Sequence, residues 1–240
     1  MHIAQIAPLA ESVPPKLYGG TERVVAWLVD ELVELGHAVT LFASGDSRTR
    51  GRLHPVWPHL GRQRTDPMAA TALLLEAISK RAKDFDVIHA HIDWLHLPLL
   101  RRLGVPHLTT MHGRIDLPGL PDVIREFPEA SFVSISDNQR LPLPDGIGVA
   151  RSSTGCPRTC FGHRMAKDHT WLFSVASRPR RGPEKAIRIA RAARMPLRIA
   201  AKIPRAETAY FKKHLEPLID GKDVRLIGEV NDATKQGFLA

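Results

Sequence analysis

Along the first 147 residues, short apolar runs alternate with amphipathic stretches. "HIAQIA" (2–7) reads as a buried strand and "TERVVAWLVDELVELG" (21–36) as a helix. In that helix Val24, Val25, Leu28, Val29, Leu32 and Leu35 recur at three- and four-residue steps, with Arg23, Asp30, Glu31 and Glu34 opposite them. Thr21 is placed to cap its start, and Gly36 to end it in the left-handed conformation. "AVTLFAS" (38–44) predicts the next strand and "DPMAATALLLEAISKRAKDF" (66–85) the next long helix. "DVIHAH" (86–91), "HLTTMH" (107–112) and "SFVSIS" (131–136) follow as strands. Continuously apolar strands divided by helices predict a parallel sheet covered on both faces, the α/β Rossmann-like arrangement.

The same grammar resumes at residue 182. "GPEKAIRIARAA" (182–193) is helical, "LRIAAK" (197–202) a strand, "AETAYFKKHLEPLID" (206–220) helical and "VRLIGE" (224–229) a strand. Two strands give little core and leave edges open. The expectation is an N-terminal Rossmann-like domain over 1–147, an aberrant linker over 148–181, and a partial second Rossmann-like domain over 182–240.

Composition changes this picture at one place. The net charge of +9 and pI near 10 suggest nucleic acid or a membrane surface as partner. Residues 150–181, however, hold Arg151, Arg158, Arg164, Lys167, Arg178, Arg180 and Arg181 against the single acid Asp168. Two thirds of the charge excess therefore sits in one window, which also contains both cysteines. "SRPRRG" within it reads as a solvated loop rather than a nucleic-acid patch. No apolar run approaches the ~20 residues of a membrane-spanning helix, and the start lacks the basic and apolar regions of a secretory signal. The cysteine usage fits a reducing cytoplasm.

Candidate chemistry clusters at the predicted carboxyl ends of the strands. In "YGGTERVV", Gly19 and Gly20 let the backbone turn sharply at a helix N-terminus, where N–H groups and the dipole favour a phosphate. His91, His112 and Ser136 should share that edge of the sheet, where open parallel sheets bind ligands. Gly113 leaves room beside the His112 imidazole, which could donate a hydrogen bond to a sugar hydroxyl or a phosphate oxygen. His89 reads as a satisfied core histidine, and His2, His54, His59, His96 and His107 as structural.

These residues resemble a known family. "APLAESVPPKLYGGTERVVAWLVDELVELGHAVTLFASGDS", "FDVIHAHIDWLHLPLLRRLGVPHLTTMHGRIDLP" and "FVSISDNQRLPLP" are similar to the N-terminal domain of glycosyltransferase family 4, in the bacterial branch with an "SGDS" turn and an "HGR-DLP" loop. The likeness resumes at "GPEKAIRIARAARMPLRIAAKI" and "VRLIGEVNDATKQGFLA". It implies a GT-B fold, with the acceptor mainly on the first domain and a UDP- or GDP-linked sugar mainly on the second. It also implies retaining transfer, with no cofactor and no metal. By carry-over Gly19, Gly20, Thr21 and Glu22 form the donor-phosphate set together with Lys202. His112 contacts the donor sugar as the catalytic candidate, and His91 and Ser136 line the cleft.

Between the matching blocks such enzymes carry a linker and a strand ending in "GRISPEK", whose Arg and Lys clamp the donor diphosphate. Residues 150–181 do not spell it. A frame shifted by one base does. Trp171-Leu172, with a CTN leucine codon, must then read Ala, and Met165-Ala166 must read Gly. His169 through Arg181 permit Tyr-Leu-Ala-Phe-Leu-Gly-Arg-Ile-Ser-Pro-Glu-Lys. The hypothesis is two compensating single-base indels between about Val149 and Gly182. Resequencing codons 145–190 should reveal both, and an unambiguous in-frame read from independent clones would end the idea. The run Cys156, Cys160, His163, His169 has near-zinc spacing. Arg158, Arg164 and Lys167 crowd it and disfavour a dication, so the expectation is no metal.

The leading reading is thus a glycosyltransferase impaired in this 240-residue chain, which stops before the glutamates the family places further on. The alternative is a non-catalytic remnant that binds an acceptor or partner. A zinc- or nucleic-acid-binding protein and a GT-B epimerase are further readings. Expected partners are a nucleotide-sugar and an unknown acceptor, without nucleic acid or a transmembrane segment. Peripheral membrane contact is left open.

Overall fold

Strand β1 (His2–Ile6) is buried from Ile3 onward and lies third in a seven-stranded parallel sheet of order β3-β2-β1-β4-β5-β6-β7. Its neighbours are β2 (Ala38–Ser44) and β4 (Val87–Ala90), both parallel to it. Beyond β2 lies β3 (Arg52–Trp57); beyond β4 lie β5 (His107–Met111), β6 (Ser131–Ser134) and β7 (Val149–Arg151). The computed structural model describes residues 1–58, 66–142, 149–152, 171–174, 182–203, 207–231 and 234, with backbone alone at 149, 151 and 171–174. The run Cys156–Cys160–His163–His169, the "SRPRRG" loop and His59 lie outside the described residues. The chain divides into two units, Met1–Pro157 and Arg158–Ala240.

The apolar periodicity accounts for how the first unit packs. Helix α1 (Gly20–Glu34) buries Val25, Ala26 and Val29 against Ala7, Val39, Leu41 and Ala43. On the other face of the sheet, α2 (Pro67–Ser79) presses Ala70, Leu74 and Ile78 onto Ala4, Ile6, Phe42, Ile88 and Ala90. Asp66 caps α2 by accepting from the Met68 N–H at 2.9 Å, with Pro67 at the first helical position. Helices α3 (Leu97–Leu103), α4 (Leu120–Glu126) and α5 (Asp137–Arg140) complete the connections. Among the described residues no helix is long and apolar enough to cross a membrane.

Three local expectations need correction. Thr21 does not cap α1: the capping position belongs to Gly19, which has no side chain to offer, while Gly36 does take the left-handed conformation at φ 85°. The long helix expected to residue 85 ends at Ser79 and is followed by a single 3₁₀ turn, Ala82–Asp84. Strand β3 was not visible as apolar alternation, because an edge strand tolerates the polar Arg52 and His54 and even Pro55.

The second unit holds a parallel three-stranded sheet of order β10-β9-β8, from β8 (Trp171–Ser174), β9 (Leu197–Ala200) and β10 (Val224–Leu226). Strand β8 is one more than the two expected, and it lies inside the basic window. Helix α6 (Pro183–Ala192) packs Ile187 and Ala190 on Leu197, Ile199 and Val224. The helix expected over 206–220 is broken into Thr208–Tyr210, a π turn at Phe211–Leu215 and a 3₁₀ turn at Glu216–Leu218. Pro217 lacks the N–H that would continue it.

Candidate functional site

Chain order and space diverge at the centre of the first sheet. From β1 the chain builds outward through β2 and β3, then crosses back to place β4 on the other side of β1. Such a reversal sends the connections after the two neighbouring strands to opposite faces of the sheet, and ligands of open parallel sheets bind at the carboxyl ends of such strands. Gly19–Gly20 follow β1, His91 follows β4, and His112 follows β5. The site is therefore assembled by topology from three short sequence segments.

The glycine segment is tied down from behind. The "SGDS" turn (44–47) grips the loop after β1: the Val13 N–H donates to Ser47 Oγ at 2.9 Å, and the Arg48 N–H donates to the Val13 carbonyl at 2.7 Å. Arg23 reaches back from α1, its guanidinium donating to the Leu17 carbonyl at 3.1 Å. At Gly19 a Cβ would sit 2.6 Å from Pro15 Cβ, closer than real side chains approach, and 3.0 Å from Glu22 Oε2. Only glycine fits there. At Gly20 and Gly113 a Cβ would meet nothing within 4 Å, so both border open space. Glu22 is buried in the first turn of α1, where its charge suits the positive end of the dipole. Thr21 is half-buried inside the helix.

The two-residue period of strands places Gln5, His89, His91, Thr110 and His112 on one face, and register aligns Gln5 with His89 and His89 with Leu108. Their side chains join. His91 Nδ1 lies 2.9 Å from His112 Nε2, and His91 Nε2 lies 2.9 Å from Gln5 Oε1. Gln5 Nε2 is 3.4 Å from His89 Nδ1, and His89 Nε2 is 2.7 Å from Thr110 Oγ1. The rings overlap as well, with centroids 4.2 Å apart for His89 and His91 and 5.2 Å for His91 and His112. Burial pushes His89 and His112 down to about 4, aided at His89 by the charge His112 could carry, and holds His91 well below the ordinary histidine value. All three imidazoles are neutral at pH 7.

A second amide holds the His112 loop. Gln139 Nε2 donates to the Met111 carbonyl at 2.7 Å and to the Gly113 carbonyl at 2.6 Å, bracketing His112. Its Oε1 accepts from the Ile135 N–H at 2.8 Å. Ser136, expected to line the cleft, caps α5, its hydroxyl accepting from the Gln139 N–H at 3.1 Å. Lys202 belongs to the second unit, just beyond β9, with Nζ 3.9 Å from Glu229 Oε1. Thus Gly19, Gly20, His91 and His112 come to one edge of the first sheet, and Lys202 stands on the other unit's strand end.

Gln5 and Gln139 were missed in the sequence. A signal existed for the first: a lone glutamine in the middle of "HIAQIA" must find partners once buried. For Gln139 no local pattern announced its reach of 26 and 28 residues back. Among the described residues no three His, Cys, Asp or Glu side chains converge as metal ligands. A cavity of about 510 Å³ lies at the opposite, amino end of the strands, by His2, His37 and Arg52. Its other arginines, Arg50 and Arg81, are paired with Glu34 and Asp84.

Comparison with known proteins now bears on this geometry. A family model for "Glycosyltransferase Family 4" matches residues 18–138. No curated protein matches significantly. The structure resembles that of AviGT4, a glycosyltransferase involved in avilamycin A biosynthesis, at 23% identity and TM-score 0.66, covering 98% of this chain and 65% of that one. It also resembles Anabaena Alr3699/HepE in complex with UDP and glucose, at 14% identity and TM-score 0.65, covering 99% and 72%. UDP-N-acetylglucosamine 2-epimerase from Rickettsia bellii follows at 10% identity and TM-score 0.56, covering 95% and 68%. At these identities the likeness is one of fold, and the chain spans just under two thirds of the AviGT4 length.

Proposed function

Since the chain belongs to glycosyltransferase family 4 and shares the fold of GT-B enzymes, we propose that it binds a nucleotide-diphosphosugar at the carboxyl edge of its first sheet and serves retaining, metal-independent sugar transfer to an acceptor. The observation that carries this reading is the meeting of two unlike features there. One is a glycine-only approach to a 15-residue helix N-terminus, which suits a diphosphate. The other is a neutral imidazole pair, His91–His112, which suits an uncharged polyol. Phosphate beside sugar is the make-up of the donor. In this reading the N–H groups at Gly19 and Gly20 stabilise the charge that builds on the departing diphosphate, and Glu22 and Thr21 hold the first helical turn in place.

Transfer by this chain is weak, because the basic window does not spell the Arg–Lys clamp that family members use. That same observation favours the second reading, a non-catalytic remnant. Calorimetry separates the two. Titrating the full chain with UDP and with GDP should give saturable binding of one of them, and Gly19→Ala should weaken it by about tenfold or more, the worth of one charge-assisted hydrogen bond displaced. Flat titrations of a folded protein with both nucleotides would leave the remnant reading standing.

A further inference from the structure

The side chains from Thr110 to His112 form one uninterrupted hydrogen-bonded chain, and Gln5 is the only link in it whose donor and acceptor ends are different elements. Its Oε1 can only accept and its Nε2 can only donate. Oε1 faces His91 Nε2 at 2.9 Å, so that nitrogen carries a proton and donates. A neutral imidazole has one N–H, so His91 Nδ1 is a lone pair and accepts from His112 Nε2–H at 2.9 Å. His112 Nδ1 is left as a lone pair. On the other side, Gln5 Nε2–H donates to His89 Nδ1 at 3.4 Å, and His89 Nε2–H donates to Thr110 Oγ1 at 2.7 Å.

We infer that Gln5, acting through His89 and His91 as positioning residues, fixes His112 as a hydrogen-bond acceptor, so that His112 selects a sugar hydroxyl and rejects a phosphate oxygen. The inference rests on the donor-binding reading above. A phosphate oxygen at pH 7 brings only lone pairs and would meet another at His112 Nδ1, whereas a hydroxyl brings a proton. Among the described residues the only buried side-chain polar atom without a hydrogen-bond partner is His96 Nδ1. His112 is only half-buried, and Nδ1 is the ring nitrogen that this assignment leaves for a ligand. The sequence alone pointed to His112 as a donor to either group; the glutamine removes that choice. Phosphate is left to Gly19 and Gly20, and the two halves of a donor are sorted between two kinds of contact.

Long-range proton–nitrogen NMR of the ¹⁵N-labelled full chain tests this without a variant. His89, His91 and His112 should each show a protonated Nε2 and a pyridine-type Nδ1. A protonated Nδ1 on His91 or His112 would overturn the inference, because the chain would run the other way. Gln5→Leu, which removes both the acceptor and the donor, should turn His91 and His112 into tautomer mixtures. It should also leave UDP affinity unchanged while removing about tenfold of any advantage of UDP-glucose over UDP, the scale of one hydrogen bond. Unchanged tautomers in Gln5→Leu would likewise overturn it. If the wild-type spectrum is as expected but neither UDP nor UDP-glucose binds, the ring assignment stands and the donor-binding reading falls. If UDP binds and the spectrum is reversed, the opposite holds.

Discussion

Acidification from pH 7 to about 5 should cost the first unit several kcal/mol. Unfolding puts each buried histidine in water, where it takes up a proton below about 6.5. Folded, His89 and His112 stay neutral down to about 4 and His96 down to about 3, all through burial, with His107 adding to the effect at His96. Between those limits the unfolded chain binds more protons than the folded one, so stability falls as pH falls. It is fully present above 6.5, drops through the 6.5-to-4 window, and levels off only below the folded values. At pH 5 the gap is roughly 1.5 units per histidine, or about 2 kcal/mol each. His96 and His89 contribute about that, and His112 less, since one side of its ring is open to water. The sum is comparable to the lower end of the ~5–15 kcal/mol that holds a domain together. Urea titrations followed by tryptophan fluorescence, with Trp27, Trp57 and Trp94 in this unit, should show the midpoint collapsing between pH 6.5 and 4.5. His96→Gln keeps a neutral partner for Thr109 Oγ1, which His96 Nε2 meets at 2.7 Å, and should return about 2 kcal/mol at pH 5. Equal stability at pH 7 and pH 5 would show that these imidazoles are solvated, and the neutral chain with them.

The same histidines show where sequence reading reaches and where it stops. "DVIHAH" and "HLTTMH" read as strands, so alternation alone put His89 with His91 and Thr110 with His112 on common faces. That β4 and β5 lie side by side, and β1 beside β4, comes from a crossover that no local pattern encodes. Gln5 therefore could not be seen to stand between His89 and His91, 84 and 86 residues away. Thr21 looked like a helix cap because threonine favours that position. The loop instead turns two residues earlier, at Gly19, where Pro15 leaves no room for any side chain. Ser136 looked like a cleft residue from its place after a strand; that its hydroxyl also starts α5, by accepting from the Gln139 N–H, was not visible there. The basic window was anomalous in composition, yet its few described residues include β7 and β8. A strand needs only a short run such as "WLFS", which survives many rearrangements of the surrounding sequence.

Phe42→Ala should be the most destabilising single change in the first unit, by about 3–5 kcal/mol. Phe42 is fully buried in the middle of the β2–β1–β4 sheet, among Ile6, Leu74, Ile78 and Ile88. Its ring lies 4.7 Å from the His54 ring and meets Phe85 edge-on at 5.8 Å. Aromatic pairs of this kind add about 0.5–1.5 kcal/mol each, so the larger share of the loss is transfer plus the cavity that strands on either side cannot close. Phe42→Leu, which retains most of the volume, should cost markedly less, and the difference between the two variants measures the cavity. The effect should also reach the site. The Phe42 carbonyl accepts from the Ala7 N–H at 3.0 Å, the last sheet bond before the loop that leads to Gly19. If the cavity lets β2 sag, that bond lengthens and the glycine loop loses its anchor. Nucleotide affinity in Phe42→Ala should then fall even under conditions where the protein remains folded. Chemical denaturation gives the first number and calorimetry at low temperature the second. A loss under 1.5 kcal/mol, the range of a volume-conserving swap, would mean that the core under the site is loosely packed and that β1 does not depend on β2 to present the loop.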